Sequence, residues 1–160
     1  GVPFVPLRGI IGTDVLANRP DWKVIQNPFA GAEDPIVLIP AILPDIAIFH
    51  APVADRFGNV QIGRRRELAS MAYAAKSTLV TVERITDENL LHSELSAAAV
   101  LPSLYVDAVA VVPEGAKPYG MWSGEYDVDP AEVAQYARVA RTEDGFRDYL
   151  ARFLGATVPA

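Results

Sequence analysis

The 160-residue chain has no cysteine. That excludes disulfides, thiolate nucleophiles and cysteine-ligated metals, and it is compatible with a reducing cytoplasm. Histidine is nearly absent as well. His50 and His92 stand alone, so neither belongs to a cluster at the spacing a zinc or iron site needs. Long apolar runs are missing: the longest, Ile36 to Leu43, is interrupted by Pro40 and followed by Pro44, too short and broken to span a bilayer. Basic residues are the minority, 14 Lys and Arg against 20 Asp and Glu, and a net charge of −6 argues against a nucleic-acid partner. No Gly-x-Ser-x-Gly elbow supports a serine triad. Gly9-x-x-Gly12-Thr13 lacks the third glycine and the lysine of a phosphate loop.

What remains is an ordinary globular composition, 51% apolar and 21% charged, without repeats or low-complexity segments. The length suits one compact domain, so residues 1–160 read as a single α/β unit. The opening Gly1-Val2-Pro3-Phe4, apolar and without methionine, reads as the interior of a longer polypeptide.

Along the chain, Val2–Leu7 reads as a proline-interrupted strand and Ala17–Asp34 as irregular. Ile36–Ile39, Asp45–Phe49 and Asn59–Ile62 are strand-like. Leu68, Met71, Ala72 and Ala75 recur at helical spacing, and the β-branched run Ser77–Val82 is a strand that ends at Glu83-Arg84. Thr86 is the natural cap of a short helix, and Tyr105–Val112 is a buried strand. Asp129-Pro130-Ala131-Glu132 opens a helix with Asp as cap, and a last helix follows Thr142. Alternating strands and helices predict a layered α/β fold with a mostly parallel sheet flanked by helices.

Four places could carry chemistry. The segment His50–Gln61 joins an apolar strand to an Asp55-x-x-Gly58-Asn59 turn, which is either a plain hairpin or a ligand-facing loop. Arg64-Arg65-Arg66 stands at a helix start, where the macrodipole disfavours cations by roughly 0.3–1 kcal/mol each, so it is a solvated face or it meets an anion. Glu83 after its strand is either a catalytic carboxylate or the partner of Arg84 or Arg65. The glycine-rich loop Gly115–Asp127 presents Tyr119, Trp122 and Tyr126, an aromatic set suited to an interface.

Taken together, three blocks resemble one family. Pro44–Ala51 leading into Ala54–Gln61, Ala74-Ala75-Lys76 running into Val80–Glu83, and Pro113–Pro118 followed by Gly124–Asp129 are similar to the α subunit of family I CoA-transferases, the glutaconate type in particular. Tyr136 and Phe146–Tyr149–Leu150 complete the pattern. The likeness covers nearly the whole chain and corresponds to the C-terminal half of that subunit. Lys117 departs from it, standing where the family usually has histidine.

The resemblance implies an open α/β CoA-transferase fold and an enzyme with coenzyme A as substrate and no permanently bound cofactor. It implies a hetero-oligomer with a β subunit in the cytoplasm, without nucleic-acid or membrane partners. The nucleophilic glutamate is expected on that β subunit, so no catalytic residue is expected here, Glu83 being the one in-chain candidate. This chain would shape the acyl pocket, with Gly58, Asn59 and Gln61 as the substrate-binding residues. Two alternatives follow from related branches and from the interface loop: a subunit of a ring-cleaving CoA-thioester hydrolase of steroid or aromatic catabolism, and a non-catalytic assembly subunit.

Overall fold

The computed structural model describes residues 2–31 and 33–154 and divides into two compact units, Gly1–Pro44 and Asp45–Ala160. In the first, β1 (Phe4–Leu7), β2 (Lys23–Gln26) and β3 (Pro35–Pro40) form an antiparallel sheet of order β1-β3-β2, with the short helix α1 (Asp14–Ala17) between β1 and β2 in sequence. Strand β2 lies inside the stretch read as irregular. Its four residues are too few to reveal an alternation between Pro20-Asp21 and Asn27-Pro28, and pairing with β3 across Ile25 and Ile36 is what fixes them.

The second unit contains β4 (Ile46–Asp55), β5 (Val60–Gln61), α2 (Arg66–Ala74), β6 (Ser77–Thr86), α3 (Glu94–Ala97), β7 (Val100–Leu101), β8 (Ala108–Val111), α4 (Pro130–Val139) and α5 (Glu143–Leu154). Its sheet has the order β7-β5-β4-β6-β8. β4, β6 and β8 run parallel, and β5 and β7 add an antiparallel edge, so the expected mostly parallel α/β layer is present. Helix α2 lies in the connection that parallel β4 and β6 require.

One face of this sheet makes the core. Phe49, Ala51, Val80 and Val82 gather with Ile62, Leu101, Val60 and the small residues Ala69 and Ala72 of α2. Burying Ile62 or Leu101 fully contributes roughly 1.5–3 kcal/mol each. Because side chains alternate, the opposite face carries Ile46, Ile48, His50, Leu79, Thr81 and Glu83. There Ile46 and Ile48 are more than half exposed, at 52% and 64%.

Three sequence expectations shift. Strand β6 runs on to Thr86 because it pairs with β4 down to Asp55, so Glu83 lies within a strand and not after one. Thr86 therefore caps no helix, and the next helical turn waits until Glu94–Ala97. Tyr105 belongs to a 3-10 turn, Ser103–Tyr105, and β8 is an edge strand exposed along most of its length.

The cap of α4 is as read: Asp129 Oδ1 accepts from the backbone N–H groups of Ala131 and Glu132, each at 3.0 Å, with Pro130 at the first position. Asp129→Ala should lower unfolding stability by about 1 kcal/mol in urea denaturation. An unchanged midpoint would show that the α4–α5 hairpin is held by packing alone.

Candidate functional site

Two polar clusters in the second unit hold the residues of interest. The first is the turn after β4. Asp55 is 2% exposed, and its carboxylate accepts four hydrogen bonds: from the N–H of Phe57 and of Asn59 at 2.9 Å each, from Asn59 Nδ2 at 2.8 Å and from the N–H of Leu90 at 3.0 Å. Burial pushes its pKa up, but the Asn59 amide and the three backbone donors outweigh this and hold the group below the usual aspartate range. The first of these bonds is the Asx-turn expected from the sequence.

Gly58 completes the turn at φ +86°, and a Cβ there would stand 3.2 Å from Ser103 Cβ. Asn59 faces inward. It is 3% exposed, with Nδ2 on Asp55 and Oδ1 accepting from the Ser103 N–H at 2.9 Å. Gln61 is half-buried in β5. Beside the turn opens a cavity of about 540 Å³, lined by Arg56, Phe57, Gly58, Ser103 and Asp107 among others.

The second cluster stands on the sheet face opposite the core. His50 of β4 and Thr81 of β6 are register partners, and Glu83 lies two residues along. His50 Nε2 donates to Glu83 Oε1 at 2.6 Å, since an ionised carboxylate can only accept. Its Nδ1 is hydrogen-bonded with the Thr81 hydroxyl at 2.8 Å. Tyr126 donates its hydroxyl to the same Oε1 at 2.7 Å and accepts the Ala116 N–H at 2.9 Å. The Glu114 N–H, on a residue with φ +57°, donates to Glu83 Oε2 at 2.8 Å.

Gly115 is required here. A Cβ on it would lie 2.7 Å from His50 Cε1. Burial raises the Glu83 pKa, but the Glu114 N–H, His50 and Tyr126 prevail and keep it low, while burial and the Glu83 charge raise that of Tyr126.

Glu83 thus pairs with neither Arg84 nor Arg65 but with a histidine, a phenol and a backbone amide. Each donor draws charge from the carboxylate, so the arrangement favours a tie between sheet and loop over a nucleophile. Periodicity does not show this cluster, because Tyr126 is distant in sequence. The only hint is that His50 and Glu83 both follow apolar runs. Of the three loop aromatics, only Tyr119 stands out in solvent, at 65% exposed. Tyr126 is turned onto Glu83 and Trp122 onto Gly63, which corrects the reading of all three as a free interface pad. Among the described residues no group of histidines and carboxylates could hold a metal, and no helix is long and apolar enough to cross a membrane.

The fold and both clusters fall largely within a segment with known relatives: the profile of the family described as coenzyme A transferase matches residues 6–111. This chain belongs to the coenzyme A transferase family. The A-type subunit of 3-oxoadipate CoA-transferase from Pseudomonas knackmussii is 33% identical over 98% of this chain and 54% of its own length. The A-type subunit of glutaconate CoA-transferase from Acidaminococcus fermentans is 32% identical over 91% of this chain and 50% of its length. The crystal structure of that organism's glutaconate coenzyme A-transferase superposes with a TM-score of 0.82 at 30% identity, over 95% of this chain and 52% of that one. A lower likeness, 26% over 98% of this chain, joins it to the IpdA subunit of a cholesterol ring-cleaving hydrolase from Rhodococcus jostii. The chain spans about half the length of these curated relatives.

Two outcomes test the clusters of this coenzyme A transferase chain. Removing the Asn59 amide leaves the Ser103 N–H unpaired and Asp55 short of a donor. Asn59→Ala should therefore cost about 1–3 kcal/mol of stability by denaturant titration. Both Asp55 and Glu83 have depressed folded pKa values, so each stabilises the fold above the ordinary carboxylate range. That contribution is lost as pH falls through the folded values. Glu83→Gln should then be less stable at neutral pH, with a shallower loss on acidification. A parallel acid profile would show that Glu83 titrates alike in the folded and unfolded states.

Proposed function

We propose that the chain acts as the α-type subunit of a CoA-transferase, which moves coenzyme A between an acyl-CoA and a carboxylic acid. The observation that carries this reading is the alignment of nearly the whole chain with the A-type subunits of two CoA-transferases. In the proposed reaction a glutamate carboxylate on the partner β chain attacks the thioester carbonyl and expels CoA thiolate, leaving a mixed anhydride. The thiolate then attacks the glutamyl carbonyl, frees the first acid and leaves a glutamyl-CoA thioester, which the second acid opens by the reverse steps. The engagement of Glu83 by three donors supports placing that nucleophile on the partner.

In this reading the Asp55–Gln61 turn lies at the rim of the acyl pocket. The backbone at Gly58 and the Gln61 side chain face the substrate, and Asn59 holds them from behind. The open apolar positions Ile46 and Ile48 and the exposed Tyr119 support a hetero-oligomer, because apolar surface of this kind is covered by further polypeptide. In the same reading the site of action is the cytoplasm, with which the absence of cysteine is compatible, and CoA serves as substrate with no resident cofactor.

The likeness to a ring-cleaving hydrolase subunit favours a second reading, hydrolysis of a ring-bearing CoA thioester without CoA transfer, over a purely assembling role. One experiment separates these. The chain, within its natural polypeptide and co-expressed with its β subunit, is given glutaconyl-CoA or 3-oxoadipyl-CoA with acetate. Acetyl-CoA formation is the expected outcome. Free CoA without acetyl-CoA means thioester hydrolysis; where neither product forms, a gain of one water by a cyclic CoA ester, read by mass spectrometry, means ring hydrolysis, and no gain means assembly alone. Borohydride trapping during turnover should label a glutamate on the β subunit, whereas an adduct on Glu83 overturns the assignment.

A further inference from the structure

The three arginines that open α2 take no part in either cluster. Arg66 is engaged by the Ala98 carbonyl. The Arg64 side chain makes no hydrogen bond or ion pair among the described residues, and the Arg65 guanidinium has Glu67 as its one ion-pair partner among them, at 3.8 Å. These two line a cavity of about 500 Å³ with Gly63, Glu67 and Trp122.

Its wall is built with a specific residue. Gly63 has φ +59°, and a Cβ there would come within 2.5 Å of the Trp122 ring, so only glycine lets the indole lie against this backbone. Above that ring the Arg65 guanidinium sits 5.4 Å from the centroid, a cation–π contact that orients its donors. The Trp122 Nε1–H is shielded from solvent and has no acceptor in the structure. An unmet buried donor costs about 1–3 kcal/mol.

The electrostatics of the place favour an anion. Two guanidiniums face one carboxylate in a chain whose net charge is −6. They also stand at the positive end of the nine-residue helix α2, where cations are disfavoured unless an anion joins them.

We propose that this cavity recognises the phosphate-bearing nucleotide end of a CoA-type ligand. The proposal rests on the reading that the substrate is a CoA thioester. Forked guanidinium donors match phosphate oxygens, and the Arg65 guanidinium held over the indole offers a plane on which a purine can stack. The concavity is open to solvent and wider than a single ion requires. Glu67 opposes the anion and limits its affinity. The loop that brings Trp122 here also brings Tyr126 to Glu83, so one segment serves both places.

The probe is adenosine 3′,5′-bisphosphate, titrated into the complete complex carrying Trp22→Phe, so that among this chain's tryptophans only Trp122 reports. Saturable change of Trp122 emission is expected, with affinity falling roughly tenfold or more in Arg64→Ala/Arg65→Ala and weakening with salt. The same double variant should lower the preference for a CoA thioester over its pantetheine counterpart, which lacks the nucleotide, by a similar factor. An unchanged preference overturns the proposal, as does bisphosphate binding that is indifferent to the two arginines. Equal competition by inorganic pyrophosphate refutes the nucleotide assignment, and loss of β-subunit co-purification in the double variant makes the cluster a contact between subunits instead. If the wild-type complex binds the bisphosphate in this arginine-dependent way yet neither transfers nor hydrolyses CoA thioesters, the functional reading falls and the site stands.

Discussion

The parallel pairing of β4 with β6, from Ile46 opposite Ser77 to Asp55 opposite Thr86, is the constraint on which the rest of the second unit depends. It aligns two strands whose alternation matches. Phe49, Ala51, Val80 and Val82 fall on the core face, and His50, Thr81 and Glu83 fall on the other. A slip of one residue would exchange the faces and bury the polar set against α2. The same register ends β4 at Asp55, beside Thr86, so the turn that follows starts from a strand fixed on its long side. Asp107 clamps the next strand to it: its carboxylate accepts the Thr78 N–H at 2.6 Å, and its own N–H bonds back to the Thr78 carbonyl.

Two carboxylates, Asp55 buried and Glu83 partly buried, then convert this rigid pair into ordered loops. A charge removed from water is costly unless it is surrounded by donors, and both groups meet that condition. Asp55 gathers Phe57, Asn59 and Leu90, thereby fixing its own turn and the segment after β6. Glu83 gathers His50, Tyr126 and Glu114 and pins the long loop before α4. In each case the carboxylate is the hub, and the pairing that favours its ionised form also makes the loop's position depend on that form.

Local chemistry was legible wherever it was local. The Asp129 cap, the Asx-turn at Asp55, the presence of a helix at α2 and the buried strand at Val80–Val82 all follow from residues within a few positions of one another, although α2 buries Ala69 and Ala72 and leaves Met71 of the expected face exposed. Non-local pairing decided the rest. Strand β6 outruns its β-branched stretch because β4 is there to pair with it. Ser103 is drawn into a 3-10 turn whose N–H is taken by Asn59, 44 residues earlier. Tyr126 and Trp122 read as surface aromatics because nothing in their neighbourhood announces Glu83 or Gly63 as a destination. Asn59 illustrates the ambiguity at a candidate site, since an amide in a turn suits a ligand and a buried carboxylate equally, and only the fold shows that its amide meets Asp55 and Ser103.

That distinction bears on how such a chain contributes to chemistry. A turn tied from within by Asp55 and Asn59 presents backbone and a glycine to its surroundings, and its geometry is set before any substrate arrives. Preorganised backbone amides need no reordering when charge develops next to them, which is the property an oxyanion or carboxylate site requires. A mobile side chain at the same place would lose conformational entropy on each encounter. The two polar clusters therefore suit positioning more than bond-making: the donors that would quiet a nucleophile at Glu83 are those that hold the loop. On the proposed reading the reactive carboxylate stands elsewhere, where it need not also serve as a structural hub.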